Sequence, residues 1–209
     1  MRIISGLAGG IRLQAPPGDS VRPTTDRVKE SLFASLEPFL GRRVVDLFSG
    51  TGALGLEALS RGAAAVLLVE RDRRALRYLH ENALRVQKAA GPQVGSLEIA
   101  PLDVGSVPSV LAAWASTADL ILADPPYRPL PHTYGATALL RDTAFATWAG
   151  PALLVLEHAV DTPLPWHPES PWRVLTRKRY GSLAVTFARQ AGKAAAEGSA
   201  DPLFGPAQA

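Results

Sequence analysis

Asp124-Pro125-Pro126-Tyr127 puts a carboxylate, two rigid rings and a phenol into four consecutive residues. It follows Leu120-Ile121-Leu122-Ala123, an apolar run that reads as a buried strand. Proline cannot continue a central strand, so the chain must leave the sheet here. The carboxyl end of a strand is where open α/β sheets place their ligand crevice. A carboxylate and a fixed carbonyl accept hydrogen bonds from an amine, and an aromatic ring stacks on a flat one. The chemistry this suits is gripping a planar, amine-bearing ring such as a nucleobase. Asp124, Pro125, Pro126 and Tyr127 are therefore the candidate catalytic residues. Taken alone, the tetrapeptide could also be a strand stop followed by a surface turn.

A second constellation lies upstream. Gly50-Thr51-Gly52-Ala53-Leu54-Gly55 fits G-x-G-x-x-G between a strand and a helix, and Glu70 ends the next strand twenty residues after Gly50. Glycines there admit a ligand close to the backbone, and the acid binds ribose hydroxyls. Any adenosine-bearing ligand fits, so a NAD-dependent dehydrogenase is a competing reading. Asp46 at the end of the first main strand argues against a pyrophosphate neighbour. Asp103, beyond the third strand, is placed to accept from an adenine amine. A ligand with adenosine, no phosphate and a cationic sulfonium and ammonium matches these acids, and that ligand is S-adenosylmethionine. The expected binding set is Asp46, Phe48, Ser49, Gly50, Thr51, Gly52, Glu70, Arg71, Asp103, Val104 and Asp124.

The elements that must position these residues alternate. Val44–Phe48, Ala65–Glu70, Ser96–Ala100, Leu120–Ala123 and Ala152–Glu157 read as strands. Helices are expected from the glycine turn to about Arg61, from Arg73 to about Val86, and around 107–116. Thr24-Thr25-Asp26 caps a further helix whose apolar face is Val28, Leu32, Leu36 and Phe39, ending near Gly41. This alternation predicts a doubly wound, mostly parallel α/β sheet. Trp172–Arg177 and Ser182–Phe187 are joined by a turn too short for a crossover helix, so they pair as an antiparallel hairpin. Arg2–Ser5 and Gly10–Gln14 suggest a small N-terminal β-hairpin. The expected division is an extension over 1–20, a catalytic domain over 21–189 and a disordered tail over 190–209.

Composition narrows the class. There is no cysteine, which excludes disulfides, thiolate zinc sites and cysteine nucleophiles. No metal-ligand spacing links the four histidines, of which His80 lies on a helix. No uninterrupted apolar run reaches the roughly 18 residues of a membrane span, and Met1–Gly6 lacks a signal-peptide core. A cytoplasmic enzyme is the expectation. Net charge is +3 over residues 1–43, −4 over 44–170, +6 over 171–193 and −2 over 194–209. Basic ends around an acidic middle suit a polyanion held by the ends. The candidate RNA contacts are Arg2, Arg12, Arg22, Arg27, Arg177, Lys178 and Arg179. Trp166 and Trp172, near proline-rich loops, are read as core packing.

Asp46-Leu47-Phe48-Ser49-Gly50-Thr51-Gly52 resembles the S-adenosylmethionine motif of class I methyltransferases. Asp124-Pro125-Pro126-Tyr127 resembles the motif of those that methylate exocyclic or amide nitrogens. From Arg2 to about Arg189 the chain resembles one family, the 16S rRNA guanine-966 N2-methyltransferases. Arg2–Gly6, Arg22–Glu30, Gly55–Gly62 and Asn82 carry the match, and Arg22–Glu30 is the most specific piece. The resemblance implies a seven-stranded Rossmann-like sheet and S-adenosylmethionine as cofactor. It implies 16S rRNA or the small ribosomal subunit as partner. No metal and no membrane are expected, and a monomer is the expectation for the enzyme. DNA adenine and release-factor glutamine methyltransferases are the alternatives within methyl transfer, and Arg22–Glu30 argues against both.

Overall fold

The computed structural model describes residues 1–17, 26–127 and 133–191. Seven strands form one sheet: β1 (Arg43–Leu47), β2 (Ala65–Val69), β3 (Ser96–Ala100), β4 (Leu120–Ala123), β5 (Leu153–Ala159), β6 (Trp172–Tyr180) and β7 (Leu183–Gln190). Their order is β3-β2-β1-β4-β5-β7-β6. The first five run parallel, and β7 pairs antiparallel with both β5 and β6. The apolar strands β1, β2 and β4 are buried on both faces, which is why they read as continuous runs.

Alternate residues feed two cores. Val44, Val66, Leu68, Leu122, Val155 and Phe187 pack on one face. There they meet helices α1 (Asp26–Ala34), α2 (Gly55–Ser60) and α3 (Arg73–Ala90). Val45, Leu67, Ile121, Leu154 and Leu156 pack on the other. Their neighbours are the short helices α4 (Val107–Val110), α5 (Ala136–Arg141) and α6 (Thr143–Ala149). Trp114, Trp148 and Trp172 belong to this second core, and Phe145 stacks on Trp148 at 5.7 Å.

Three expectations change. The helix around 107–116 is broken into α4 and two 3-10 turns. The Leu111 carbonyl takes Trp148 Nε1–H at 2.9 Å and Trp114 N–H at 3.1 Å, which tightens the chain into a 3-10 turn. The helix from Asp26 stops at Ala34, short of Gly41, though Leu36 and Phe39 remain fully buried. Helices α5 and α6 were not foreseen. Asp142 caps α6 by accepting Phe145 N–H at 2.9 Å, and Gly150 ends it at φ 56°, so a signal was present. Thr24 and Thr25, read as a cap, and residues 192–209 of the tail lie outside the described residues.

The N-terminal segment forms one isolated antiparallel bridge, Arg2 with Arg12, and not two strands. Four polar groups of the main domain hold it. Glu57 accepts Ile4 N–H and Ser5 N–H at 2.7 and 3.1 Å, and Lys29 Nζ donates to the Arg2 carbonyl at 2.6 Å. Ser60 Oγ donates to the Ser5 carbonyl and accepts Ala8 N–H. Asn82 bonds the Gln14 backbone twice and donates to the Thr51 carbonyl at 3.0 Å. A Cβ on Gly6 would overlap the Ser60 carbonyl, so only glycine fits. The residues that carry the resemblance at Lys29, Glu57, Ser60 and Asn82 are thus anchors of one unit.

Candidate active site

Strand order brings β1 and β4 side by side, with β2 leaving on one flank and β5 on the other. This is the switch point of the sheet, where a crevice opens at the strand ends. The glycine turn follows β1 and Asp124 follows β4, so the two motifs, more than seventy residues apart, face one another.

Asp46, inside β1 and 1% exposed, accepts Gly55 N–H at 2.8 Å, tying the strand to the first turn of α2. A Cβ on Gly55 would overlap Leu68 Cδ2, so close packing explains this glycine. Ser49 Oγ donates to the Asp46 carbonyl at 2.6 Å, and Ser49 N–H reaches the Val69 carbonyl. Glu70 accepts Gly50 N–H at 2.7 Å, together with the N–H groups of Arg71 and Asp72. It clamps the glycine turn to the end of β2, with one lone-pair site of about four left over. Asp103 likewise is engaged: its carboxylate takes Arg71 Nη1 at 2.7 Å and Gly105 N–H at 2.9 Å.

Two clefts share Asp124, and a third pocket lies beside the turn that follows it. A cleft of about 600 Å³ runs from Phe48 past Glu70, Arg71, Asp103 and Val104 to Tyr134 and Pro126. That volume is in the ~300–1,000 Å³ range of small-molecule sites. A narrower one of about 100 Å³ is lined by Lys29, Asp46 and residues 48–51. Asp124 and Phe48 line both. A small pocket of about 40 Å³ lies beyond, between Pro125, Pro126, Tyr127, Glu157 and His158. Tyr127, 38% exposed, donates its hydroxyl to Glu157 Oε1 at 2.9 Å, so the phenol is engaged as well as the ring.

Carboxylates crowd this end of the sheet. Burial, then the charges of Glu157 and Asp46, raise the Asp124 carboxyl well above its usual range. Burial also pushes Asp46 up to about 7, with Glu70 adding and the Gly55 N–H opposing. His158 is buried and held neutral by that burial. The Ala159 carbonyl can only accept, so Nδ1 carries the proton and Nε2 accepts from Thr186 Oγ1 at 2.8 Å. Among the described residues no cluster of three or more His, Cys, Asp or Glu could hold a metal. No helix among them is long and apolar enough to cross a membrane.

The raised Asp46 carboxyl makes a stability prediction. An unfolded aspartate ionises near its ordinary 3.8, while the folded one keeps its proton to about 7. Stability should therefore fall as pH rises through that window and level off above it, by on the order of 4 kcal/mol. Asp46→Asn keeps an acceptor for Gly55 N–H and removes the titration. Its thermal midpoint should decline less between those pH values than the wild type's; parallel declines would refute the assignment.

The basic residues divide. Arg2 pairs with Asp26 at 2.8 Å on the surface, and Arg12 and Arg27 are exposed. Arg22 lies outside the described residues. On edge strand β6, Arg177 reaches Thr186 Oγ1 and Arg179 the Gly181 carbonyl, both with exposed side chains. Lys178 differs: its ammonium lies 5.6 Å over the Phe187 ring, and burial lowers its pKa. Strand alternation turns it away from its two neighbours. Ser31 on α1 and Tyr180 at the end of β6 share a hydrogen bond at 3.2 Å, so the two basic ends of the sequence meet along one edge. Sequence reasoning missed Lys29 and Glu157 as site residues: Lys29 sits in the Arg22–Glu30 stretch and Glu157 at a strand end, and nothing local ties either to the glycine turn or to Asp124.

A seven-stranded sheet with one antiparallel pair, a glycine turn after β1 and Asp-Pro-Pro-Tyr after β4 defines a methyltransferase of the α/β class. The family described as "conserved hypothetical protein 95" matches residues 1–189. The ribosomal RNA small subunit methyltransferase D of Escherichia coli K12 is 36% identical over 187 residues, covering 88% of this chain and 87% of that protein. Its Haemophilus influenzae namesake is 34% identical over 186 residues, covering 88% and 91%. A solved Thermus thermophilus structure, described as a hypothetical protein, superimposes with a TM-score of 0.71 at 30% identity, covering 90% of this chain and 99% of that one. The chain belongs to the ribosomal RNA small subunit methyltransferase D family. The dehydrogenase reading of the glycine turn falls away with that membership.

Proposed function

We propose that this protein methylates the exocyclic N2 of a guanine, guanine-966 of 16S rRNA, with S-adenosylmethionine as donor. The observation that carries the reading is Asp124, which lines the adenosine-sized cleft and the narrow one while opening the turn that would grip a base. The residues present fit the donor. Phe48 and Val104 offer apolar walls, Glu70 and Asp103 offer acceptors, and Asp46 and Asp124 face the narrow cleft where cationic groups would be welcome. Lys29, with its side chain 3% exposed and two of its three protons bonded, is the cation placed to meet a carboxylate. Bound there, the cofactor supplies an already activated, electrophilic methyl group.

The chain's own residues then do the positioning. A guanine amine is a poor nucleophile because its lone pair is delocalised into the ring. Asp124 and the Pro125 carbonyl accept its two N–H groups and draw the nitrogen towards tetrahedral geometry, which exposes the lone pair. The buried Pro125 fixes that carbonyl, and the Tyr127 ring stacks on a base turned out of its RNA helix. Once the N–C bond has formed at the expense of the donor's methyl–sulfur bond, the nitrogen's proton becomes acidic and leaves to Asp124 or water, so no strong base is required. Orientation and directed electrostatics supply most of the rate. Arg2, Arg12, Arg22, Arg27, Arg177 and Arg179 are the phosphate contacts of this reading. Lys178 is a lesser candidate. Residues 21–189 act as the catalytic domain, with 1–20 as its extension, in a cytoplasmic enzyme.

Calorimetry should show S-adenosylhomocysteine binding and NAD not binding. The 16S rRNA of a strain lacking this protein should accept a methyl group from the purified enzyme, and wild-type rRNA should not. Equal labelling of the two would sink the reading.

A further inference from the structure

The narrow cleft of about 100 Å³ beside the glycine turn is built partly from the start of the chain. Met1 lines it together with Lys29, Asp46, Asp124 and residues 48–51. Its ionisable side chains are one ammonium, Lys29, and two carboxyls, Asp46 and Asp124. That set suits a zwitterion, whose carboxylate goes to the lysine and whose ammonium goes to the acids. The amino-acid end of a ligand has that form.

Both ends of the N-terminal segment are tied to walls of this cleft. At its start, the Arg2 carbonyl accepts Lys29 Nζ at 2.6 Å. Glu57 Oε2 accepts a second Lys29 proton at 3.0 Å and also holds Ile4 N–H at 2.7 Å. These bonds fix a flexible four-carbon arm and leave one of its three protons for a ligand. At the far end, Asn82 Nδ2 donates to the Gln14 carbonyl at 2.9 Å and to the Thr51 carbonyl at 3.0 Å. Its Oδ1 accepts Gln14 N–H at 2.8 Å. Thr51 is a cleft residue, so one buried amide joins the segment to the glycine turn. Between these ties the segment bonds to itself, Leu13 N–H to the Met1 carbonyl at 3.1 Å and Ile3 N–H to the Ile11 carbonyl at 2.9 Å.

We propose that residues 1–14 belong to the donor site: through the Arg2 carbonyl they aim the Lys29 ammonium at the donor's carboxylate, and through Asn82 they brace the glycine turn. This rests on the S-adenosylmethionine reading above and extends the site to a segment distant in sequence from both motifs. Lys29 meets the donor, while Arg2, Glu57, Ser60 and Asn82 are positioning residues. Segment and donor favour each other, and whatever one contributes to the other is returned by the same factor.

The test compares S-adenosylhomocysteine with methylthioadenosine, which keeps the adenosine and the sulfur and lacks the amino-acid end. Amide exchange of residues 1–14, followed by mass spectrometry, should slow roughly fivefold or more with S-adenosylhomocysteine. Saturating methylthioadenosine should leave it close to the unliganded rate. Exchange in β6 and β7, which line neither cleft, should change little with either. Ser60→Ala removes two bonds to the segment and touches neither cleft. It should weaken S-adenosylhomocysteine binding roughly fivefold and methylthioadenosine binding hardly at all. Lys29→Met should weaken S-adenosylhomocysteine alone, by roughly tenfold or more, and its retained methylthioadenosine binding reports an intact fold. If that variant loses both ligands, the exchange of the wild type decides. Equal protection of the segment by the two ligands, or none, would overturn the proposal. So would a Ser60→Ala protein that loses both ligands equally or keeps both unchanged. A wild type that binds neither ligand would instead end the S-adenosylmethionine reading, and the proposal with it.

Discussion

Asp124→Ala is expected to lower methyl transfer roughly a thousand-fold or more while S-adenosylhomocysteine still binds, the range for removing a group that orients the reacting atom. The reason is positional. Asp124 is the side chain shared by the two clefts and the Asp-Pro-Pro-Tyr turn, so its acceptor sits where the donor and the base would meet. Asp124→Asn should retain more activity than alanine, because its amide oxygen accepts one N–H. The pH profile separates the variants further. With burial and two neighbouring acids raising the Asp124 carboxyl, the carboxylate is lost as pH falls through that raised value. Wild-type turnover should therefore rise with pH where Asp124→Asn stays flat. Near-normal single-turnover rates for the alanine variant would end the mechanism.

Glu57→Ala should cost about 3–5 kcal/mol of stability, the loss that follows when one partner of a buried ion pair is left alone. Glu57 is fully buried and receives Ile4 N–H, Ser5 N–H, Arg61 Nε and, at 3.0 Å, Lys29 Nζ. Its removal strands the Lys29 ammonium and releases the N-terminal segment. Lys29 already has its pKa lowered, chiefly by burial, with Glu57 as the main opposing influence. Adding Lys29→Met to the first change should restore part of the loss by removing the stranded charge. Denaturant unfolding measures both. A double variant less stable than the sum of its parts would show that the pair is not the source. Limited proteolysis ahead of Gln14 should accelerate in the single variant, since two of the segment's backbone anchors go with the carboxylate.

Much of the fold was legible because its signals are local. Ser96–Ala100 and Leu120–Ala123 are strands with the bounds read from the sequence, and the other parallel strands differ by a residue or two at their ends. The glycine turn announced itself by spacing. Where local signals were overruled, a tertiary bond did it, as when the Trp148 indole took the Leu111 carbonyl and ended a helix early. The short helices α5 and α6 lacked a long periodic stretch, so only the Asp142 cap and Gly150 marked them.

The candidate site divides in the same way. Asp124, Pro125 and Tyr127, and Asp46 with Gly50, could be named from the sequence, because each group is contiguous and its residue types limit what it can do. Glu57 and Lys29 sat within recognisable motifs but showed no sign of being partners, since their pairing crosses 28 residues.

By itself the sequence determined which segments are strands, where the chain breaks from the sheet, and which side chains stand at those breaks, for these follow from periodicity, glycine and proline over a few residues. Tertiary structure alone decided that β1 lies beside β4, that Glu157 lies beside Asp124, and that the basic ends share an edge through Ser31 and Tyr180. It also decided that Lys178 leans on Phe187 while Arg177 and Arg179 face solvent. Strand order and register are settled by pairing between segments far apart in the chain, and a local pattern carries no record of its distant partner.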